Sequence, residues 1–164
     1  MGRKIFYLVA ALAFPIAIFL FLKFFGKNEF AVEPLYQETI PSRGCPYAYE
    51  LPYAVPDSVL DIMADSSALA VVTFMGREKA DEADKLIKRL ESLFGSDPVS
   101  FHKMDETTAG DGYTVLRECV FLLAADTTVA VIDRDGRIRG QYASASMEDV
   151  DRLIVELKII LKKF

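Results

Sequence analysis

Residues 127–143 read TTVAVIDRDGRIRGQYA. Thr127 to Ile132 is a short run rich in β-branched residues, the composition of a buried strand. Asp133-Arg134-Asp135-Gly136 follows as a hairpin turn, in which Gly136 is free to take a positive φ. Residues 137–143 return as the partner strand. An antiparallel hairpin this late in the chain limits what can stand on either side of it.

Downstream, Ser146 is placed to cap a helix, with Glu148 and Asp149 in its first turn, where carboxylates favour the dipole. Val150, Leu153, Ile154, Leu157, Ile160 and Leu161 form its apolar stripe. Lys158, Lys162 and Lys163 fall at the end that favours cations. Upstream, residues 68–75 form an apolar run of small and β-branched residues, which suits a central strand. Residues 78–94 form an amphipathic helix on Ala83, Leu86, Ile87, Leu90 and Leu93, stopped by Gly95. Residues 99–103 read as a second strand. Residues 110–119 read as a short helix with Tyr113, Leu116 and Val120 inward. Asp57-Ser58 caps a further short helix at 59–64.

The order is β-α-β-α-β-β-α. Two strands joined through a helix require a parallel, right-handed crossover, and the closing hairpin and last helix complete a covered sheet. The expected fold is an α/β, thioredoxin-like three-layer sandwich over residues 57–164. In that fold the junction after the first core strand commonly carries two cysteines. Here it reads Met75-Gly76-Arg77-Glu78-Lys79.

The first 27 residues differ in kind. Residues 5–22, IFYLVAALAFPIAIFLFL, hold no charge over 18 positions. At about 1.5 Å per residue they reach roughly 27 Å, close to a hydrocarbon core. Phe-Leu-Lys-Phe-Phe-Gly after them is a poor cleavage site, so the expectation is an uncleaved signal anchor. The chain is then single-pass, N-terminus cytoplasmic and the remainder extracytoplasmic, on the periplasmic side. That remainder holds 15 Lys and Arg against 24 Asp and Glu, a net charge of −9. Such a surface argues against nucleic-acid binding, which needs a basic footprint.

Residues 28–56 read as a tether. It carries Pro34, Pro41, Pro46, Pro52 and Pro56, interleaved with Tyr36, Tyr47, Tyr49 and Tyr53. The tyrosines either lie on the domain's own surface or form a docking strip for a protein partner. Cys45 and Cys119 are the two cysteines, able to pair in an oxidising compartment if the fold brings them together. Cys119, within Cys-Val-Phe-Leu-Leu, has the setting of an inert buried thiol. His102, the single histidine, shares a strand face with Met104 and makes at most half of a soft-metal site. No Ser-His-Asp set is legible, and with one histidine most acid–base triads are excluded.

The final third resembles the end of the Sco/SenC family. Ile132-Asp133, Gly136, Arg139-Gly140 and Tyr142, the helix over 150–163, the membrane helix and Val55-Pro56-Asp57 all fit that pattern. The resemblance implies a membrane-anchored, thioredoxin-fold protein that helps assemble the copper centre of cytochrome c oxidase. The family binds copper through Cys-x-x-x-Cys after the first core strand and a distant His before a later strand. Here those positions fall at Gly76–Lys79 and near Ala125-Asp126, and neither cysteine nor histidine stands there. No catalytic residue and no cofactor are expected, with copper held only if the family activity survives by another site. The expected function is a non-catalytic accessory or assembly factor for a respiratory complex. A thiol–disulfide protein using Cys45 and Cys119, and a structural subunit of a membrane complex, are the alternatives.

Overall fold

The computed structural model describes residues 2–25, 31–41, 44–46, 48–63, 67–76, 80–95, 97–106 and 110–162. The chain forms two compact units, Met1–Ala31 and Val32–Phe164. The Pro/Tyr-rich segment from Val32 onward therefore belongs to the second unit.

The first unit holds helix α1, Gly2–Phe25, with Pro15 inside it. Among the described residues no helix is long and apolar enough to cross a membrane. The side chains at 5, 6, 8–11, 22, 24 and 25 lie outside that description, and the anchor expected over residues 5–22 falls partly on them.

The second unit is an α/β domain. After a short helix α2, Asp57–Leu60, and a 3₁₀ turn, Asp61–Met63, the chain enters β1, Leu69–Met75. Then come α3, Ala80–Phe94, and β2, Val99–Asp105. A 3₁₀ turn, Gly110–Gly112, leads into α4, Tyr113–Val115, which continues as a π-helical turn, Leu116–Val120. Strands β3, Val129–Asp133, and β4, Ile138–Tyr142, precede α5, Met147–Leu161. The sheet order is β2-β1-β3-β4. β1 runs parallel to β2 and antiparallel to β3, and β3 pairs antiparallel with β4. This is the expected thioredoxin-like order.

Alternation in β1 divides the core. Leu69 and Val71 join Val99, Val129, Val131 and Tyr142 beneath Leu86 and Leu90 of α3 and Leu153 and Leu157 of α5. Val72 and Phe74 face the opposite side, with Ala130, Ile132, Ile138 and residues Val120, Phe121, Leu122 and Leu123. Among the described residues of this unit, no long helix packs on the second side. Its layer is the π-turn together with Tyr53, Val55 and Met63, with Tyr36, Ile40 and Tyr49 packed against it. Leu93 departs from the expected stripe and is exposed. In the last turn of α3 it is Phe94 that packs on the sheet-side cluster, and Leu93 faces solvent.

The residues carrying the family resemblance build the β3–β4 corner. Asp133 is buried; its Oδ1 accepts from the Asp135 and Arg137 amides at 3.0 and 2.9 Å. Its Oδ2 accepts from Arg139 Nε at 2.7 Å, while Arg139 Nη1 donates to the Val32 carbonyl. Gly136 has φ +74°, and a Cβ there would meet Leu60 Cδ1 at 2.9 Å and the Val55 oxygen at 3.0 Å. The Tyr142 ring lies over Gly140 and its hydroxyl donates to Glu156 at 2.6 Å.

Within this core, Thr73 Oγ1 is buried with no hydrogen-bond partner. A buried hydroxyl without a partner carries an unrecovered desolvation cost. Thr73→Val is therefore expected to raise stability by about 1 kcal/mol, read as a higher denaturant midpoint at unchanged slope. A loss of stability would show that the hydroxyl is bonded in solution.

Candidate functional site

The structure joins Cys45 to Cys119 in a disulfide, with Cα atoms 5.6 Å apart across 74 residues of sequence. Cys45 belongs to the Pro/Tyr segment and Cys119 to the π-turn. Both residues are half-buried, so the inert, buried setting expected for Cys119 is replaced by a bonded one at the surface. The crosslink lies where the tyrosines also converge. Tyr49 donates to the Cys119 carbonyl at 3.0 Å, Tyr53 to the Val120 carbonyl at 2.6 Å, and Tyr36 to the Leu122 carbonyl at 3.3 Å. The described tyrosines of the segment thus lie on the domain's own surface. Tyr47 lies outside the described residues.

These hydroxyls answer a local need. The π-turn closes with Phe121 N–H on the Leu116 carbonyl at 2.8 Å and Leu123 N–H on the Arg117 carbonyl at 2.9 Å. Leu122, between them, has φ +53°. The carbonyls at the end of a helix have no partners inside it. The tyrosines supply donors to those of Cys119, Val120 and Leu122, and Gln141 Nε2 donates to those of Phe121 and Leu122. Arg117 Nη2 reaches the carbonyls of Ala124, Ala125 and Thr127 at 2.7, 3.1 and 3.0 Å. Sequence reasoning gave Arg117 and Gln141 no role. A basic residue, Arg117, inside the mainly apolar stretch Val115-Leu116-Arg117-Glu118-Cys119-Val120 was the available signal.

Beside the disulfide lies a cleft of about 650 Å³. The Pro/Tyr segment forms one wall with Tyr49, Pro52 and Tyr53, and α4 with the π-turn forms the other through Val115, Leu116 and Cys119. Glu50 and Ser58 bring polar groups to this mainly apolar lining. The volume falls within the range of small-molecule and peptide side-chain sites.

The β1–α3 junction is arranged differently. Gly76 follows β1 and is exposed, and residues 77–79 lie outside the described residues. Neither cysteine belongs to this junction. Copper of the kind the sequence resemblance implies does not fit the residues described. The two sulfurs are bonded to each other and offer no thiolate. His102 Nε2 lies 3.1 Å from Ser100 Oγ, and Met104 packs on the tyrosine-side core. They share a face of β2 by alternation, but among the described residues no three ligating side chains cluster.

Two phenols at this face and its neighbour are protected from ionising. Burial pushes the Tyr53 hydroxyl far above its usual range, and Tyr49 adds to it. Burial does the same for Tyr142, reinforced by the Glu156 carboxylate that its hydroxyl contacts. Folded-state values above the unfolded value of about 10 give stability that is complete below that pH and lost as pH rises past it. Thermal midpoints should be flat from about pH 7 to 9 and fall above about pH 10. Tyr53→Phe combined with Tyr142→Phe should flatten the alkaline limb, whereas an unchanged limb would assign it to other groups.

No family model matches this chain. No curated protein matches it either. Among solved structures, human ERp44 in its zinc-bound form is weakly similar, at 14% identity and a TM-score of 0.40. The match covers 62% of this chain and 28% of that one, so this chain corresponds to less than a third of ERp44. The thioredoxin-like assignment accordingly stands on the sheet order and crossover described above.

Proposed function

We propose that this is a membrane-anchored, extracytoplasmic thioredoxin-like protein that works by binding. In this reading it is an accessory or assembly factor for a respiratory complex, cytochrome c oxidase being the one the sequence resemblance names. The observation that carries the reading is the fate of the cysteines. Both are tied into one crosslink between the Pro/Tyr segment and the π-turn, and the β1–α3 junction has no sulfur for exchange. What the tyrosine-side face offers instead is a mainly apolar cleft with few polar groups, a surface for recognition. A disulfide fits an oxidising compartment. Helix α1 runs for 24 residues, about 36 Å, and the anchor in this reading rests on the uncharged stretch of sequence over residues 5–22.

The test is genetic. Deleting the protein should lower assembled cytochrome c oxidase activity several-fold, and the full chain should restore it. Unchanged oxidase in the deletion strain would remove the reading. A thiol–disulfide protein is the second reading, favoured by Cys119 lining the cleft. It requires that Cys119→Ser abolish the activity outright.

A further inference from the structure

We propose that the Cys45–Cys119 disulfide is a reducible latch on the cleft, opened by thiol–disulfide exchange with a dithiol. The proposal rests on the binding reading and adds its regulation. Three observations lead to it.

The crosslink is reachable. Both cysteines are half-buried, and neither belongs to the two apolar clusters that hold the sheet. Cys119 lines the cleft, so a thiolate entering there meets the cystine without core opening.

The crosslink joins the two walls. Tyr49 and Tyr53 stand on one side, and Leu116, Cys119 and Val120 on the other. Tyr53 is fixed independently, because it is buried, its hydroxyl bonds Val120 O and its amide bonds Tyr36 O. Val55 N–H, two residues on, bonds Gly136 O. Upstream of Tyr53, the Tyr49 hydroxyl and the disulfide tie the described stretch to the π-turn. Tyr53 on one side and Tyr36 and Ile40 on the other are thus the fixed points, and the described stretch between them is what the latch holds.

The element beneath is a π-turn. Such turns are uncommon and gather at functional positions. Its terminal carbonyls at Cys119, Val120 and Leu122 are held by donors from the Pro/Tyr segment. Release of the segment weakens the outermost of these bonds, at Cys119, first.

The chemistry balances. One thiolate of the dithiol attacks a sulfur of the cystine and expels the other as a thiolate, which takes a proton. The second thiol of the reductant then displaces the mixed disulfide. Two electrons and two protons pass to Cys45 and Cys119, which end as thiols, and the dithiol ends as a disulfide.

The experiment uses the full chain in detergent, oxidised or treated with dithiothreitol, with amide hydrogen exchange read by mass spectrometry. Reduction should speed exchange across residues 116–123 by about tenfold or more while 69–75 and 129–133 hold their rates. Cleavage after Glu50 by a glutamate-specific protease should accelerate in parallel. The Cys45→Ser/Cys119→Ser variant should show both effects without reductant. Unchanged exchange at 116–123 on reduction would make the crosslink a passive staple. Acceleration throughout the sheet would make it a brace of the whole fold. A cystine that resists dithiothreitol in the folded protein would also overturn the latch. A failed latch leaves the deletion phenotype untouched, and an absent phenotype leaves the exchange result standing, so the two ideas fail separately.

Discussion

Replacing Gly140 with alanine is expected to cost about 3 kcal/mol or more. The new Cβ would fall on the Tyr142 ring, 2.6 Å from Cζ and 2.8 Å from Cε2, and closer still to the hydroxyl. The ring cannot swing away cheaply. Tyr142 is 1% exposed, its hydroxyl donates to Glu156, and the Arg152 guanidinium sits 5.1 Å above its centroid. Gly140 pairs with Val131 beside the bulge in the β3–β4 ladder, so the backbone is held as well. Urea unfolding measures the loss. The double variant Gly140→Ala/Tyr142→Leu should recover part of it, because the clash leaves with the ring. A Gly140→Ala protein within about 1 kcal/mol of wild type would contradict this packing.

Asp133→Ala should destabilise by about 3–5 kcal/mol, the range for removing one partner of a buried ion pair. The carboxylate does three things at once. It accepts the two turn amides of Asp135 and Arg137 and pairs with Arg139 at 2.7 Å. Its side chain is 3% exposed and that of Arg139 19%, so screening by solvent is weak on the acidic side. Removing it strands a half-buried guanidinium whose other nitrogen holds Val32, where the Pro/Tyr segment begins. Asp133→Asn should cost less, since the amide oxygen can still accept from the turn. Equal losses for Ala and Asn would assign the effect to Arg139 alone; no loss would contradict the ion pair.

These two positions also explain what the sequence did and did not disclose. Ile132-Asp133, Gly136, Arg139-Gly140 and Tyr142 are legible as a pattern because a hairpin is local: its turn, ladder and ring contact involve residues within about ten of one another. Each of these residues serves the corner itself, through the Asp133–Arg139 pair, the Gly136 turn and the Tyr142 ring over Gly140, so the pattern speaks for the fold and is silent on chemistry. The apolar stripe of α5 was legible for the same local reason.

The tyrosine face was not legible in that way. Tyr36, Tyr49 and Tyr53 find their acceptors 86, 70 and 67 residues away. The alternation of tyrosines predicted an aromatic face but not what lies under it. The π-turn read as ordinary helix because its i→i+5 register leaves no mark in the apolar spacing of Tyr113, Leu116 and Val120. That register is fixed by Arg117, Gln141 and the tyrosines, all through side-chain contacts outside the turn or beyond its end. Pairing of Cys45 with Cys119 depends on the same docking, since two cysteines 74 residues apart carry no signal of proximity. The cleft is a product of that docking and was invisible for that reason.

The central claim is that this protein acts by binding a respiratory-complex partner at the face built from the Pro/Tyr segment and the π-turn. A photo-crosslinking amino acid at Ser58, exposed at the rim of the cleft, tests it most directly in cells. The account predicts an adduct with a subunit or assembly component of cytochrome c oxidase, lost when Leu116→Glu fills the cleft with charge. A chain that forms no such adduct, and that purifies alone in mild detergent, would contradict it.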